Sequence, residues 1–229
     1  MLFQRRQVWL PTFWGALLLL ALAAALGLWL VRSAYTLLTP HAPAPAARTL
    51  VVEGWLDAPE LRQAVAVVRS GGYERVLTTG GPIEPLIDVG GWKSFALRAA
   101  AQLRAEGLTT VPVIALPAPE TAQERSYVSA LMVRAWVKQN DPTLAAIDLY
   151  SAGVHARRSR LLFQLAFGPG VTVGVLSSAP TDFDARHWWR SSIGTKSVMS
   201  ETLSLAWTTC CFWPPAPGSH EERWALPTP

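Results

Sequence analysis

From Trp9 to Val31 the chain carries no charged side chain, and within that stretch Leu17-Leu-Leu-Leu-Ala-Leu-Ala-Ala-Ala-Leu is apolar on every face of a helix. A helix in water hides one stripe and solvates the rest, so a segment that is apolar all round reads as a bilayer span over residues 9–31. Trp9 and Trp14 near one end, with Trp29 and Tyr35 near the other, sit where aromatic residues gather at membrane–water interfaces. Arg5 and Arg6 precede the span, and Arg32 alone follows closely. That bias puts residues 1–8 in the cytoplasm and the rest outside the cytoplasmic (inner) membrane, as a single-pass protein. Ala44-Pro45-Ala46 before Ala47 has the small-x-small pattern of a signal-peptide cleavage site. The apolar stretch exceeds a usual signal core, however, which favours an uncleaved anchor. Residues 32–47, including His41-Ala-Pro-Ala-Pro-Ala-Ala, then read as a semi-rigid stalk that holds the folded part off the bilayer.

Residues 48–213 have the size of one ordinary domain with a full core. Apolar runs alternate with helical patterns: Leu50-Val51-Val52, then a helix from Asp57 to Ser70; Val76-Leu77, then a helix from Trp92 to Glu106. Val111 to Leu116 precedes a helix from Glu120 to Gln139. Ala146 to Ser151 precedes a basic helix, and Val171 to Leu176 closes the series. This alternation predicts an α/β fold, a Rossmann-like doubly wound and mostly parallel sheet, behind one N-terminal transmembrane helix. Pro214-Pro-Ala-Pro-Gly and Leu226-Pro-Thr-Pro flank a charged stretch without periodicity, so residues 214–229 read as a disordered Pro-rich tail.

Charge and cysteine content narrow the function classes. The net charge is +4, of which Arg5, Arg6 and Arg32 supply three, so the domain itself is near neutral and lacks the basic face of a nucleic-acid binder. Cys210 and Cys211 are adjacent, a spacing that rarely reaches good disulfide geometry, and they read as core packing in the last helix. With no further cysteine and no closely spaced histidines, the sequence offers no metal site. It contains no Gly-x-Ser-x-Gly elbow, no Gly-x-Gly-x-x-Gly fingerprint and no Walker loop. It names no cofactor.

In an open α/β sheet the strand-end loops gather on one edge, and ligands bind there. Ser151-Ala-Gly-Val-His155-Ala-Arg157-Arg158-Ser-Arg160 places three arginines in the first turn of a helix, where the helix dipole disfavours cations and an anionic partner is the simplest compensation. Helical phase puts His155 and Arg158 on the inward face with Leu161, Leu162 and Leu165. It rotates Arg157 and Arg160 toward solvent. One reading makes Arg158 half of a structural ion pair and His155 a hydrogen-bonded turn residue. The functional reading is an anion or carbonyl site. Three other loops supply candidates: Glu53-Gly54-Trp55; Thr79-Gly80-Gly81, where glycines let the backbone approach a ligand; and Glu120 to Tyr127, with Glu124, Arg125 and Ser126. Glu53 can be a base or a salt-bridge partner of an arginine, and Ser126 a ligand contact or a helix cap. Trp188-Trp189-Arg190 can cover the site as a lid or simply pack.

The order of these motifs resembles the YdcF, SanA and ElyC family of bacterial proteins, over roughly Thr49 to Trp207. The resemblance rests on Glu53-Gly54-Trp55, Thr79-Gly80-Gly81, Ser126-Tyr127 and, most clearly, His155-x-x-Arg158, with an N-terminal anchor as in the SanA and ElyC branches. It implies a Rossmann-like domain associated with the cell envelope, in peptidoglycan or surface-polysaccharide biogenesis. Where members carry an acid and then an Asn, this chain has Val128 and Ser129. If that acid does chemistry in relatives, Glu53, Glu120 or Glu124 takes its place here.

The resulting expectation is a membrane-anchored envelope protein with an anion-binding strand-end pocket for a phosphate-containing glycan or lipid-linked precursor. Arg158 would hold the anion, Gly54, Gly80, Gly81, Arg125 and Ser126 would line it, His155 would donate a hydrogen bond or proton, and Glu53 would act as base. The first alternative is a non-catalytic assembly or regulatory factor that binds envelope-biosynthesis proteins. A further alternative, for a cytoplasmic domain, is an enzyme that binds S-adenosylmethionine or a nucleotide, since the YdcF branch of the family is linked to the former.

Overall fold

The alternation of apolar runs becomes five short strands in one sheet. The computed structural model describes residues 10–83, 91–121 and 124–215; the N-terminal eight residues, Trp9 and most of the Pro-rich tail lie outside them. In chain order the elements are α1 (Phe13–Leu38), β1 (Thr49–Glu53), α2 (Ala58–Gly71), β2 (Arg75–Gly80), α3 (Phe95–Ala105) and β3 (Val113–Pro117), followed by α4 (Arg125–Asn140), β4 (Ala146–Ser151), α5 (Ala156–Phe167), β5 (Thr172–Ser177) and α6 (Ser192–Cys211). All four strand pairings are parallel, in the order β3-β2-β1-β4-β5. The chain reverses its direction of travel across the sheet between β1 and β4, which leaves a crevice at their carboxyl ends.

Strand residues alternate between two cores because successive side chains leave opposite faces. Val51, Leu77, Ile147, Leu149 and Val175 pack under α4 and α5. Leu50, Val52, Val76, Tyr150 and Leu176 pack under α2 and α3. The helices start where local chemistry allows. Asp57 and Glu60 form a reciprocal capping box on α2, which ends at left-handed Gly72 (φ 67°), and Ser94 caps α3 at the amide of Leu97. That cap, rather than Trp92, sets the beginning of α3.

The N-terminal helix departs from the expected layout. It begins at Phe13, capped by Thr12, and runs past Val31 to Leu38. Its uncharged part, Phe13 to Val31, is about 29 Å long at 1.5 Å per residue, close to the roughly 30 Å of a hydrocarbon core. The last turns belong to the domain: Ala34, Tyr35 and Leu38 pack with Val154, Phe183, Trp188, Val198 and Leu205. Tyr35 therefore meets Phe183 edge to face, at 6.1 Å between ring centres, instead of marking a membrane interface.

Residues 40–47 are not a free stalk. Ala42 exchanges both backbone hydrogen bonds with Val175, and the Ala44 amide donates to Asp148 at 2.7 Å. Ala44 and Ala47 are buried against Ala146. The physical reason is the open edge of β5. A flat Ala/Pro segment covers that edge, and its prolines need donate nothing to the ladder. Asp148, 2% exposed, also accepts from the Tyr73 hydroxyl at 2.7 Å, so one buried carboxylate ties this segment to the middle of the domain.

Cys210 and Cys211 also differ from expectation. They are disulfide-bonded to each other and exposed at the end of α6. Packing there falls to Phe212, which is buried and meets the Tyr127 ring edge to face.

Candidate active site

Of the arginines at the start of α5, Arg158 finds an anion within the chain. Glu201, from α6, accepts from Arg158 Nε at 2.9 Å and from a terminal guanidinium nitrogen at 3.1 Å. The same carboxylate lies 2.9 Å from His155 Nδ1, and Arg158 is 3.0 Å from that nitrogen. The three side chains are only 12, 16 and 18% exposed for His155, Glu201 and Arg158 respectively. Burial pushes the Glu201 carboxyl up, but hydrogen bonds from His155 and Arg158, and their positive charge, outweigh it and hold the group down at about 2. Glu201 is therefore a carboxylate at neutral pH. Nδ1 lies between the Glu201 carboxylate, which can only accept, and the Arg158 guanidinium, which can only donate; the tautomer that donates Nδ1–H to Glu201 leaves the Nε2 lone pair on the other side of the ring.

On that side Nε2 faces Ser126 Oγ at 3.4 Å, with Glu53 Oε1 at 4.0 Å. Ser126 is the second residue of α4. The residue before that helix, Glu124, is left-handed (φ 53°) and makes no side-chain cap, so Ser126 turns to the histidine instead of capping. Trp55 meets the imidazole edge to face at 5.1 Å and limits its rotation. An acid, an imidazole and a hydroxyl are thus aligned in the order used for proton abstraction from a hydroxyl. The 3.4 Å contact is long, as such contacts are before substrate tightens them.

Several expected site residues serve other purposes. Glu53, 3% exposed, accepts from the Ser159 hydroxyl at 2.8 Å and from Ser151, and pairs with no arginine. Arg157 is half-buried rather than freely solvated; its Nε donates to the Leu37 carbonyl in the last turn of α1. Arg160 donates to the Val173 carbonyl at 2.9 Å. Gly54 and Gly80 are buried by α3, not held open for a ligand. A Cβ on Gly54 would strike the Thr79 carbonyl and come within 2.6 Å of Phe95 O, and one on Gly80 (φ 141°) would come within 2.7 Å of Phe95 Cβ. Gly81 accepts the Phe95 amide, and Arg125 is exposed. Trp188 is buried, with its indole N–H on the Val31 carbonyl at 3.1 Å, so it forms no lid.

A cleft of about 520 Å³ opens beside this network at the β1/β4 crevice. His155, Glu201 and Trp55 form one wall, Phe183 and Ile193 add apolar surface, and Asp57, Glu60 and Asp182 bring carboxylates. Burial raises the Glu60 carboxyl above its ordinary range, partly offset by the Ser178 hydroxyl, which donates to it at 2.6 Å. Lys196 and His155 are the basic residues among those lining it. Such a wall suits hydroxyl-rich or amine-bearing groups better than a bare dianion, and it corrects the expectation of an arginine-held anion. No group of three or more metal-ligating side chains occurs among the described residues.

Glu201 was missed by the sequence reading. Its only signal is that it is the one acid in the otherwise near-neutral α6.

No protein-family model matches the chain, and no curated protein matches it. A solved RNA 2'-O ribose methyltransferase is similar over 73% of this chain and 59% of its own length, at 15% identity and a TM-score of 0.26, a likeness too slight to carry an argument.

Proposed function

We propose that the chain is a membrane-anchored, extracytoplasmic protein of the YdcF, SanA and ElyC kind, acting in cell-envelope biogenesis. In this reading the β1/β4 cleft receives the sugar portion of a glycan or lipid-linked precursor. His155, oriented by Glu201, takes a proton from Ser126 or from a hydroxyl seated in its place. The observation that carries this reading is the Glu201–His155 pair on the wall of a cleft large enough for a ligand, with Ser126 behind the imidazole at 3.4 Å from Nε2 and outside the cleft lining. Transfer or hydrolysis at an acyl, glycosyl or phosphoryl centre is the reaction class such a pair serves.

The test is labelling of the detergent-solubilised full chain with a fluorophosphonate, mapped by mass spectrometry, beside a turnover screen of lipid-diphosphate sugars. Modification at Ser126 that disappears in His155→Gln supports the reading. Absence of both labelling and turnover would overturn it and favour a non-catalytic assembly or regulatory role. That second reading is favoured by one observation: Arg158 is committed to Glu201, and among the described residues no arginine lines the cleft. A topology reporter fused to the C-terminal end should be active outside the cytoplasm. A cytoplasmic signal would instead support binding of S-adenosylmethionine or a nucleotide.

A further inference from the structure

The segment between β5 and α6 is fastened to the anchor helix where its uncharged part ends. The Trp188 indole N–H donates to the carbonyl of Val31, the residue before the first charge, Arg32. Phe183 meets Tyr35 one turn further along. This fixes the short turn Ala185–Arg190 beside the boundary of the apolar stretch. The exposed residues there are strongly basic. Arg186 and Arg190 on the turn, Lys196 in the first turns of α6 and Arg32 on the anchor are all exposed. The acids near the turn are Asp182 and Asp184, with Asp184 occupied by His187 at 2.7 Å and by the Arg186 amide, and Lys196 shares the cleft lining with Asp57, Glu60 and Glu201. Trp189 is partly exposed beside them and packs edge to face on Trp188. Cations with an amphipathic ring at the level where a helix leaves the hydrocarbon match a layer of anionic headgroups.

We infer that residues 185–196 rest on the headgroup layer of an anionic bilayer, and that the cleft mouth opens at that layer. Lys196 and Ile193 belong both to this surface and to the cleft lining, so a substrate anchored in the same leaflet reaches His155 without leaving the membrane. The inference rests on α1 being the membrane anchor, and it adds a second, electrostatic contact between the domain and the lipid.

The test uses the full chain in nanodiscs of phosphatidylcholine alone or mixed with phosphatidylglycerol, read by hydrogen exchange. Peptides covering residues 185–196 should exchange roughly a hundredfold more slowly in the anionic discs, a factor in keeping with three basic residues at a charged surface. The combined variant Arg186→Glu, Arg190→Glu, Lys196→Glu should erase that difference while peptides of α3 keep their wild-type exchange, which shows that the domain remains folded. Equal exchange in the two lipids, with the chain still embedded, overturns this inference alone. Release of the wild-type chain from membranes by alkaline carbonate overturns the anchor reading and, with it, this one.

Discussion

Replacing Glu201 by Gln removes the charge that Arg158 and His155 share. The displacement of its carboxyl from an ordinary 4.5 to about 2 corresponds to about 3.4 kcal/mol at roughly 1.4 kcal/mol per pH unit. The cleft leaves the group partly open to solvent, and screening reduces the figure to about 2 kcal/mol. Because the folded-state value is depressed, this stabilisation is complete above the unfolded value near 4.5 and is lost as pH falls toward 2. At neutral pH the Glu201→Gln chain, purified whole in detergent, should therefore melt about 4–8 °C below wild type. Between pH 5 and pH 3 the gap should shrink by more than half, because wild type loses the same interaction by protonation. The assay is thermal unfolding followed by circular dichroism at a series of pH values. A gap that is negligible at pH 7, or that keeps its full size at pH 3, would refute the claim that Glu201 is a charged hub.

Gly54→Ala should cost about 3 kcal/mol, seen in thermal melts, because the added Cβ has only the fixed backbones of Thr79 and Phe95 to press against. Asp148→Asn should cost about 2 kcal/mol and speed hydrogen exchange in residues 40–47, since two donors, Tyr73 and the Ala44 amide, lose a charged acceptor. Arg157→Ala should cost about 1 kcal/mol and raise protease sensitivity between α1 and β1, because the Leu37 carbonyl loses its partner. Alkylation of the denatured, unreduced chain should modify neither Cys210 nor Cys211, as read by intact mass.

The sheet was legible because its strands carry dense apolar runs. Ala146–Ser151 reads as a strand from sequence and is β4 to the residue, and the Asp57 cap marks the start of α2. The start of α4 was not legible. Glu120 to Glu124 fits a helical pattern, yet the left-handed backbone at Glu124 delays the helix to Arg125. Helical phase correctly set His155 and Arg158 on one face, but phase says nothing of what lies opposite, and the partner comes from more than forty residues downstream. The glycines misled for a similar reason. A glycine announces that something comes close, and here the newcomer is α3 rather than a ligand. The stalk failed because composition cannot show that β5 leaves an edge to be covered.

Arg157 and Arg158 are neighbours on one turn of α5, the first holding the end of α1 and the second holding Glu201 beside His155. The N-terminal helix is consequently a wall of the molecule rather than a tether. Cutting the chain behind Leu38, at the end of α1, would strip Tyr35 and Leu38 from their packing under Phe183, Trp188 and Val198 and uncover the side of the cleft built on them. A soluble fragment that retains native chemistry must therefore begin no later than Ser33, with its exposed helical face made polar, so that the last turns of α1 stay in place.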